Sequence, residues 1–135
     1  MRVKDLTGRL YIWNISGHTI TNANDREVRS ELHLKARQLL KETFPTHTIC
    51  EEVPIDINRY SKVFLDFYLP LKKLAIEVQG EQHFKYTPFF HYNVQSFIKQ
   101  QQRDNKKKAW CSINNITLIE FPYNQTIEQW KSKLI

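Results

Sequence analysis

Asp66 and Glu77 occupy two adjoining apolar segments, Val63 to Leu69 and Leu74 to Gln79, whose alternation lets the two acids be placed relative to each other. Period-two spacing puts Val63, Leu65, Phe67 and Leu69 on one face of the first segment and leaves Asp66 on the other with Phe64 and Tyr68. On the second, Leu74, Ile76 and Val78 share a face, and Glu77 and Gln79 share the opposite one. A hairpin centred between Leu71 and Lys72 sets Leu69 against Leu74 and Asp66 against Glu77. Like charges so opposed, with Cβ atoms about 5 Å apart, destabilise a sheet unless something positive lies between them. Mg²⁺ suits that position, because it takes hard oxygen ligands and typically one or two carboxylates, and the Gln79 carbonyl could add a third oxygen. Such a set serves metal-assisted phosphodiester hydrolysis. The spacing equally permits Asp66 and Glu77 to be solvated edge positions, each paired with a lysine.

The elements that must position these acids are legible in the rest of the chain. Val3 to Ile15 reads as a small hairpin around Leu6-Thr7-Gly8-Arg9, with Tyr11, Trp13 and Ile15 alternating after the turn. A polar linker leads to a helix signalled by Asn24 at its N-cap and Glu27 three residues later. Val28, Leu32, Ala36, Leu39, Leu40 and Phe44 form its apolar stripe, Pro45 ends it, and Glu31 falls at the stripe's edge. Extended segments are expected at Ile49 to Ile57, Val63 to Leu69 and Leu74 to Gln79. A loop around Gly80 and Pro88 follows, then a helix from about Asn93 to Cys111, a strand from Ile116 to Phe121, and a short helix from Thr126 carrying Ile127, Trp130 and Leu134. This order predicts a mixed α/β sandwich.

Composition limits the classes available. With 135 residues and 41% apolar, the chain suffices for one core burying roughly two-thirds of its unfolded surface, which argues against disorder and against a multidomain enzyme. No apolar run reaches the roughly 18 residues of a membrane span, and Met1-Arg2-Val3-Lys4-Asp5 is not followed by a signal-peptide stretch, so a cytosolic protein is expected. Cys50 and Cys111 stand apart, without the pairing of a disulfide framework or a cysteine zinc site, and read as reduced thiols. The net charge of +6 is compatible with a nucleic-acid partner but does not single one out.

Asp66…Glu77-Val78-Gln79 resembles the D…(E/D)-x-K signature of the PD-(D/E)XK nuclease superfamily, with Gln in place of Lys. The resemblance extends over Leu65 to Pro70, Leu74 to Phe84, Arg103-Asp104-Asn105-Lys106-Lys107 and Ile116 to Phe121. Together these are similar to the group containing the very short patch repair (Vsr) endonucleases and the Vsr-like homing endonucleases whose pattern is written EDxHD. It covers roughly Glu27 to the C-terminus. The resemblance implies a restriction-endonuclease-like mixed β-sheet flanked by helices, with a short N-terminal β-hairpin. Residues 1–24 would be hairpin and linker, and residues 25–135 the nuclease domain.

By that resemblance Glu31 is the leading acid and Asp66 the central ligand of Mg²⁺, for which Mn²⁺ can substitute. Glu77 and Gln79 complete or orient the metal site, His83 assists proton transfer, and Asp104 orients His83 or holds a water. The implied activity is a DNA endonuclease of homing or phage type, nicking or cutting both strands, in a bacterial or phage-infected cytosol. A neutral Gln79 cannot stabilise developing charge as a lysine does, which throws water activation onto the metal, His83 or Glu31. It also keeps open a binding module that has lost the chemistry, or a nuclease subunit dependent on a larger assembly; as a nuclease the chain would be a monomer or homodimer. The cysteine and histidine cluster of the Vsr structural zinc site is missing, so mismatch recognition is not expected.

Arg103, Lys106, Lys107 and Lys108 on the second helix can contact phosphates, or can form a solvated face. Lys72 and Lys73 at the hairpin tip, with Lys85 and Lys99, would extend the basic surface. Tyr86, Phe89, Phe90 and Tyr92 either pack the second helix against the sheet or wedge into a duplex. His18, His33, His47 and His91 have no comparable context and read as surface or local structural residues.

Overall fold

A computed structural model describes residues 1–19, 30–81 and 94–134. In chain order the elements are β1 (Arg2–Lys4), β2 (Leu10–Ile12), α1 (Glu31–Thr43), β3 (Cys50–Asn58), β4 (Ser61–Leu69), β5 (Leu74–Gln79), α2 (Val94–Ile113), β6 (Thr117–Pro122) and α3 (Ile127–Ser132). β1 and β2 form an antiparallel hairpin, and the other strands form one sheet in the order β3-β4-β5-β6. Its pairings are antiparallel except for β5 with β6, which are parallel. Parallel neighbours need a long crossover, and α2 supplies it. The result is the expected α/β fold with a mixed sheet flanked by helices.

Local chemistry accounts for most boundaries. α1 starts at Glu31, where the Ser30 hydroxyl accepts the His33 N–H at 3.1 Å. The start expected at Asn24, with Glu27 and Val28, lies outside the described residues. Leu69 does pair with Leu74. Between them Pro70–Lys72 form a 3₁₀ turn, and Lys73 closes it in the left-handed region at φ 48°. Thr126 and Gln129 cap α3 reciprocally, side chain to backbone in both directions.

The sheet carries core on both faces. On one side Ala36, Leu39, Leu40 and Phe44 of α1 and Trp130 of α3 pack on Phe67, Leu69, Leu74, Ile76 and Phe121. On the other, Trp110 and Cys111 of α2 and Val3 and Trp13 of the N-terminal segment pack on Val53, Ile55, Val63, Leu65, Tyr68 and Ala75. Each large side chain so buried contributes roughly 1.5–3 kcal/mol. The alternation expected along β4 therefore breaks: Val63 and Leu65 face the α2 side, whereas Phe67 and Leu69 face α1, and Tyr68 has joined the first pair. β3 changes face at the matching place, with Cys50 and Val53 in the same half of the core. Glu52, with a left-handed backbone at φ 53°, lies at that place, between the pairs Glu51↔Phe67 and Val53↔Leu65.

Residues 1–19 pack into the α2-side core. Trp13 lies against Tyr68 and Trp110 at ring separations of 4.7 and 4.9 Å, and its Nε1 donates to the Pro54 carbonyl at 2.8 Å. The Leu6 N–H donates to the Ile57 carbonyl at 2.9 Å. The segment thus closes the α2-side core. Both cysteines are free and buried, and burial pushes the Cys111 thiol up to about 12.

Asp5 organises the hairpin turn. Its buried carboxylate accepts the Thr7 hydroxyl at 2.6 Å, the Thr7 and Arg9 N–H groups, and Arg9 Nε at 2.9 Å; Arg9 then reaches Asp56 at 3.1 Å. The Thr7 hydroxyl bond is the largest influence, and together these donors hold the carboxyl down at about 2. A group depressed in the folded state stabilises the fold above its unfolded pKa and loses that contribution as pH falls through its folded value. Asp5→Asn should therefore lower stability most near pH 7, with the gap to the parent narrowing below about pH 4 and nearly closing at about pH 2. Urea melts across that range measure it, and a gap independent of pH would refute the assignment.

Candidate functional site

Asp66 and Glu77 meet where the β4–β5 ladder ends. Its last pair is Phe67 with Ile76. One step beyond, the Asp66 N–H donates to Glu77 Oε2 at 3.0 Å, and the Val78 N–H donates to Asp66 Oδ2 at 2.8 Å. Each acid thus accepts a backbone donor of the neighbouring strand. β4 and β5 can part here without orphaned amides, while β5 continues alongside β6 through Val78↔Phe121 and Gln79↔Pro122.

On the α2 side Glu77 is buried and its Oε1 meets Lys107 Nζ at 2.7 Å. The positive charge that the opposed acids require comes from α2. Burial, then the neighbouring charge of Asp66, pushes the Glu77 carboxyl well above the usual range, with Lys107 opposing the shift. Lys107 loses hydration in the same place, yet the charges of Glu77 and Asp66 raise its ammonium above the ordinary value. Glu77, Gln79, Asp104, Lys107, Lys108, Leu118 and Glu120 surround a cavity of about 10 Å³. That is space for about one water. The buried Gln79 Oε1 has no hydrogen-bond partner among the described residues and suits such a water.

On the α1 side a second group gathers around Asp66. A ring nitrogen of His33 and carboxylate oxygens of Glu52 and Asp66 lie within 4.8 Å of one another. His33 is buried, stacks on Phe67 at 4.6 Å, and bonds through Nε2 to Glu51. Arg37 Nη2 grips both oxygens of Glu51, at 2.8 and 2.9 Å. The hydrogen bonds and charges of His33 and Arg37 outweigh burial and bring the Glu51 carboxyl below its usual value.

Glu77 and Gln79 face Lys107 under α2, one Asp66 carboxylate oxygen groups with His33 and Glu52, and the Asp66 and Glu77 carboxylates remain in contact between the two groups. Glu77 Oε2 accepts the Asp66 N–H and its Oε1 faces the Lys107 ammonium. Asp66 and Glu52 offer the hard oxygens a divalent cation takes, so the donor chemistry fits a cation at Asp66. Glu31 does not join: its carboxylate is 84% exposed and pairs with Lys35 at 3.4 Å, because the first position of α1 points to solvent. Asp104 does line the Lys107 cavity. His83 and Lys85, with Tyr86, Phe89, Phe90, His91 and Tyr92, lie outside the described residues.

The basic residues separate by helical phase. Lys99, Arg103 and Lys106, four and three apart on α2, are exposed along one stripe. Lys107, expected to contact phosphate, is committed to Glu77, and Lys108 pairs with Glu120 at 3.2 Å. Lys72 and Lys73 are exposed at the hairpin tip, the Lys72 ammonium 5.0 Å from the Phe44 ring centre. His33, Glu51 and Glu52 are the site residues that reading the sequence missed, and Lys107, expected on phosphate, is found on Glu77 instead. Two signals pointed to them: His33 and Arg37 share the helical face of Ala36 and Leu40, and Lys107 precedes buried Trp110 and Cys111 by three and four positions.

No family model matches the chain. No solved structure matches it. Part of it is similar to viral proteins. Over 59 residues it is 49% identical to Uncharacterized protein 307L of Invertebrate iridescent virus 6, a stretch covering 44% of this chain and 30% of that protein. Over 73 residues it is 42% identical to Uncharacterized protein 094L of Frog virus 3 (isolate Goorha), covering 53% and 47% respectively. The similarity spans less than half of either relative. Among the described residues no helix is long and apolar enough to cross a membrane.

Removing one partner of a buried ion pair strands the other. Lys107→Met should lower unfolding free energy by about 3 kcal/mol at about pH 8. Because the folded-state pKa of Glu77 is raised, the variant suffers most where Glu77 is ionised, so the loss should shrink toward pH 5 as the carboxyl takes up a proton. Adding Glu77→Gln should restore most of the stability. Urea unfolding of both variants at the two pH values decides it, equal losses at both being the contrary result.

Proposed function

We propose that this chain is a metal-dependent endonuclease that hydrolyses phosphodiester bonds in DNA, built in the manner of the Vsr-like PD-(D/E)XK nucleases that its motifs resemble. The observation that carries the reading is the reciprocal arrangement of Asp66 and Glu77 at the parting of β4 and β5, with Lys107 Nζ 2.7 Å from Glu77. It puts two acids and one ammonium at one point in a chain of net charge +6. A divalent ion held by Asp66 would supply a water of lowered pKa and positive charge against the phosphate.

The protein's own groups have separate tasks. The bond from Val78 N–H fixes one oxygen of Asp66 and so orients the carboxylate. Glu77 secures the β4 backbone at Asp66 and fixes the Lys107 ammonium beside Gln79. Lys107 brings to that cavity the charge that Gln79 lacks, and can hold a water there. The exposed stripe of Lys99, Arg103 and Lys106, with Lys72 and Lys73, would draw in the polyanion through salt-sensitive contacts. The viral origin of the relatives suggests action within an infected cell.

A second reading, a DNA-binding module without cleavage, is favoured by one observation. Lys107 already offsets the opposed acids, so the arrangement is balanced without an ion. Supercoiled plasmid incubated with Mg²⁺, Mn²⁺ or EDTA separates the two. The endonuclease converts it to open circles or linear DNA with metal and not with EDTA, and Asp66→Asn reduces the rate by at least about a hundredfold, as loss of a main electrostatic contributor does. Salt-dependent DNA binding without cuts at any enzyme concentration would overturn the endonuclease in favour of the module.

A further inference from the structure

We infer that His33, Glu52 and Asp66 form a divalent-metal site that prefers ions accepting imidazole, Mn²⁺ and the later first-row ions, over Mg²⁺ and Ca²⁺. The three come from α1, β3 and β4, and no two belong to one motif in the sequence. One donor atom from each lies within 4.8 Å of the others. Three ligand atoms about 2.1 Å from a common ion lie about 3.0–3.6 Å apart, so side-chain adjustments of up to roughly 0.7 Å each close the site.

Each ligand is held from outside the trio. The His33 ring is stacked on Phe67 and tied through Nε2 to Glu51, which Arg37 holds by both oxygens. A histidine whose ring is fixed by a carboxylate is the arrangement that orients metal-ligating imidazoles and raises their basicity. The Asp66 carboxylate is aimed by the Val78 N–H at 2.8 Å. Glu52 reaches the group because its left-handed backbone turns β3 there. A nitrogen donor beside two carboxylates suits Mn²⁺ and later divalent ions, whereas Mg²⁺ and Ca²⁺ favour oxygen alone. The inference rests on the endonuclease reading for what the ion does, though not for whether it binds.

The test titrates the full chain with Mn²⁺ and follows the free ion by electron paramagnetic resonance, with electron spin-echo modulation of the bound ion to detect a directly bonded nitrogen. One bound Mn²⁺ with nitrogen modulation is expected, displaced by Mg²⁺ only at a large excess. Glu52→Gln, at a half-buried position, should weaken Mn²⁺ binding by at least about tenfold with the fold intact by circular dichroism. His33→Gln should abolish the nitrogen modulation. Its buried ring makes misfolding a risk, which the Glu52 variant covers. Mn²⁺ bound without nitrogen modulation, no Mn²⁺ binding, or Glu52→Gln binding as the parent does would each overturn the site. Nitrogen-coordinated Mn²⁺ in a protein that never cuts plasmid would uphold the site and defeat the endonuclease. Mg²⁺-dependent cutting without nitrogen coordination would do the reverse.

Discussion

Two carboxylates facing each other across adjacent strands repel, and the sheet tolerates them only because each is given something positive to hold. Asp66 and Glu77 trade backbone N–H donors, and Glu77 then takes the Lys107 ammonium. The exchange allows β4 and β5 to separate without unsatisfied amides, and it fixes where they separate. Around that fork the remaining polar features divide, with Lys107, Gln79 and Asp104 beneath α2 and His33, Glu51 and Glu52 toward α1.

The two sides differ in how they bear buried charge. Beneath α2 a single lysine offsets Glu77, whose ionised form is disfavoured by burial and by Asp66. Toward α1, Arg37 and His33 hold Glu51 firmly ionised. Buried charges cost several kcal/mol each to desolvate unless paired in this way, and so neither network can be removed piecemeal. Both lean on apolar neighbours: Phe67 beneath His33 on one side, and on the other Trp110, which buries α2 against Trp13. The N-terminal segment thereby helps to hold α2, and with it Lys107, against the sheet.

Much of this was legible in the chain. Apolar alternation located β4 and β5, and the Pro70 to Lys73 turn fixed the register that opposes Asp66 to Glu77. Thr126 and the spacing of Ile127, Trp130 and Leu134 announced α3. The face change on β4 was not legible, because it occurs opposite the left-handed backbone of Glu52, on another strand. Glu31 and His33 show the same limit: two residues apart on one helix, they end exposed and buried respectively, and the motif pattern favoured the exposed one.

The sequence by itself determined the elements, their order and the opposition of two acids, since these depend on periodicity, turn chemistry and short-range register, which act between near neighbours. Tertiary structure alone decided what those acids touch. Lys107 reaches Glu77 from the far end of a crossover helix, and His33 reaches Asp66 from a helix that precedes the sheet. Such contacts depend on helix phase and on how layers pack, and Coulomb attraction acts between atoms in space, whatever their separation along the chain.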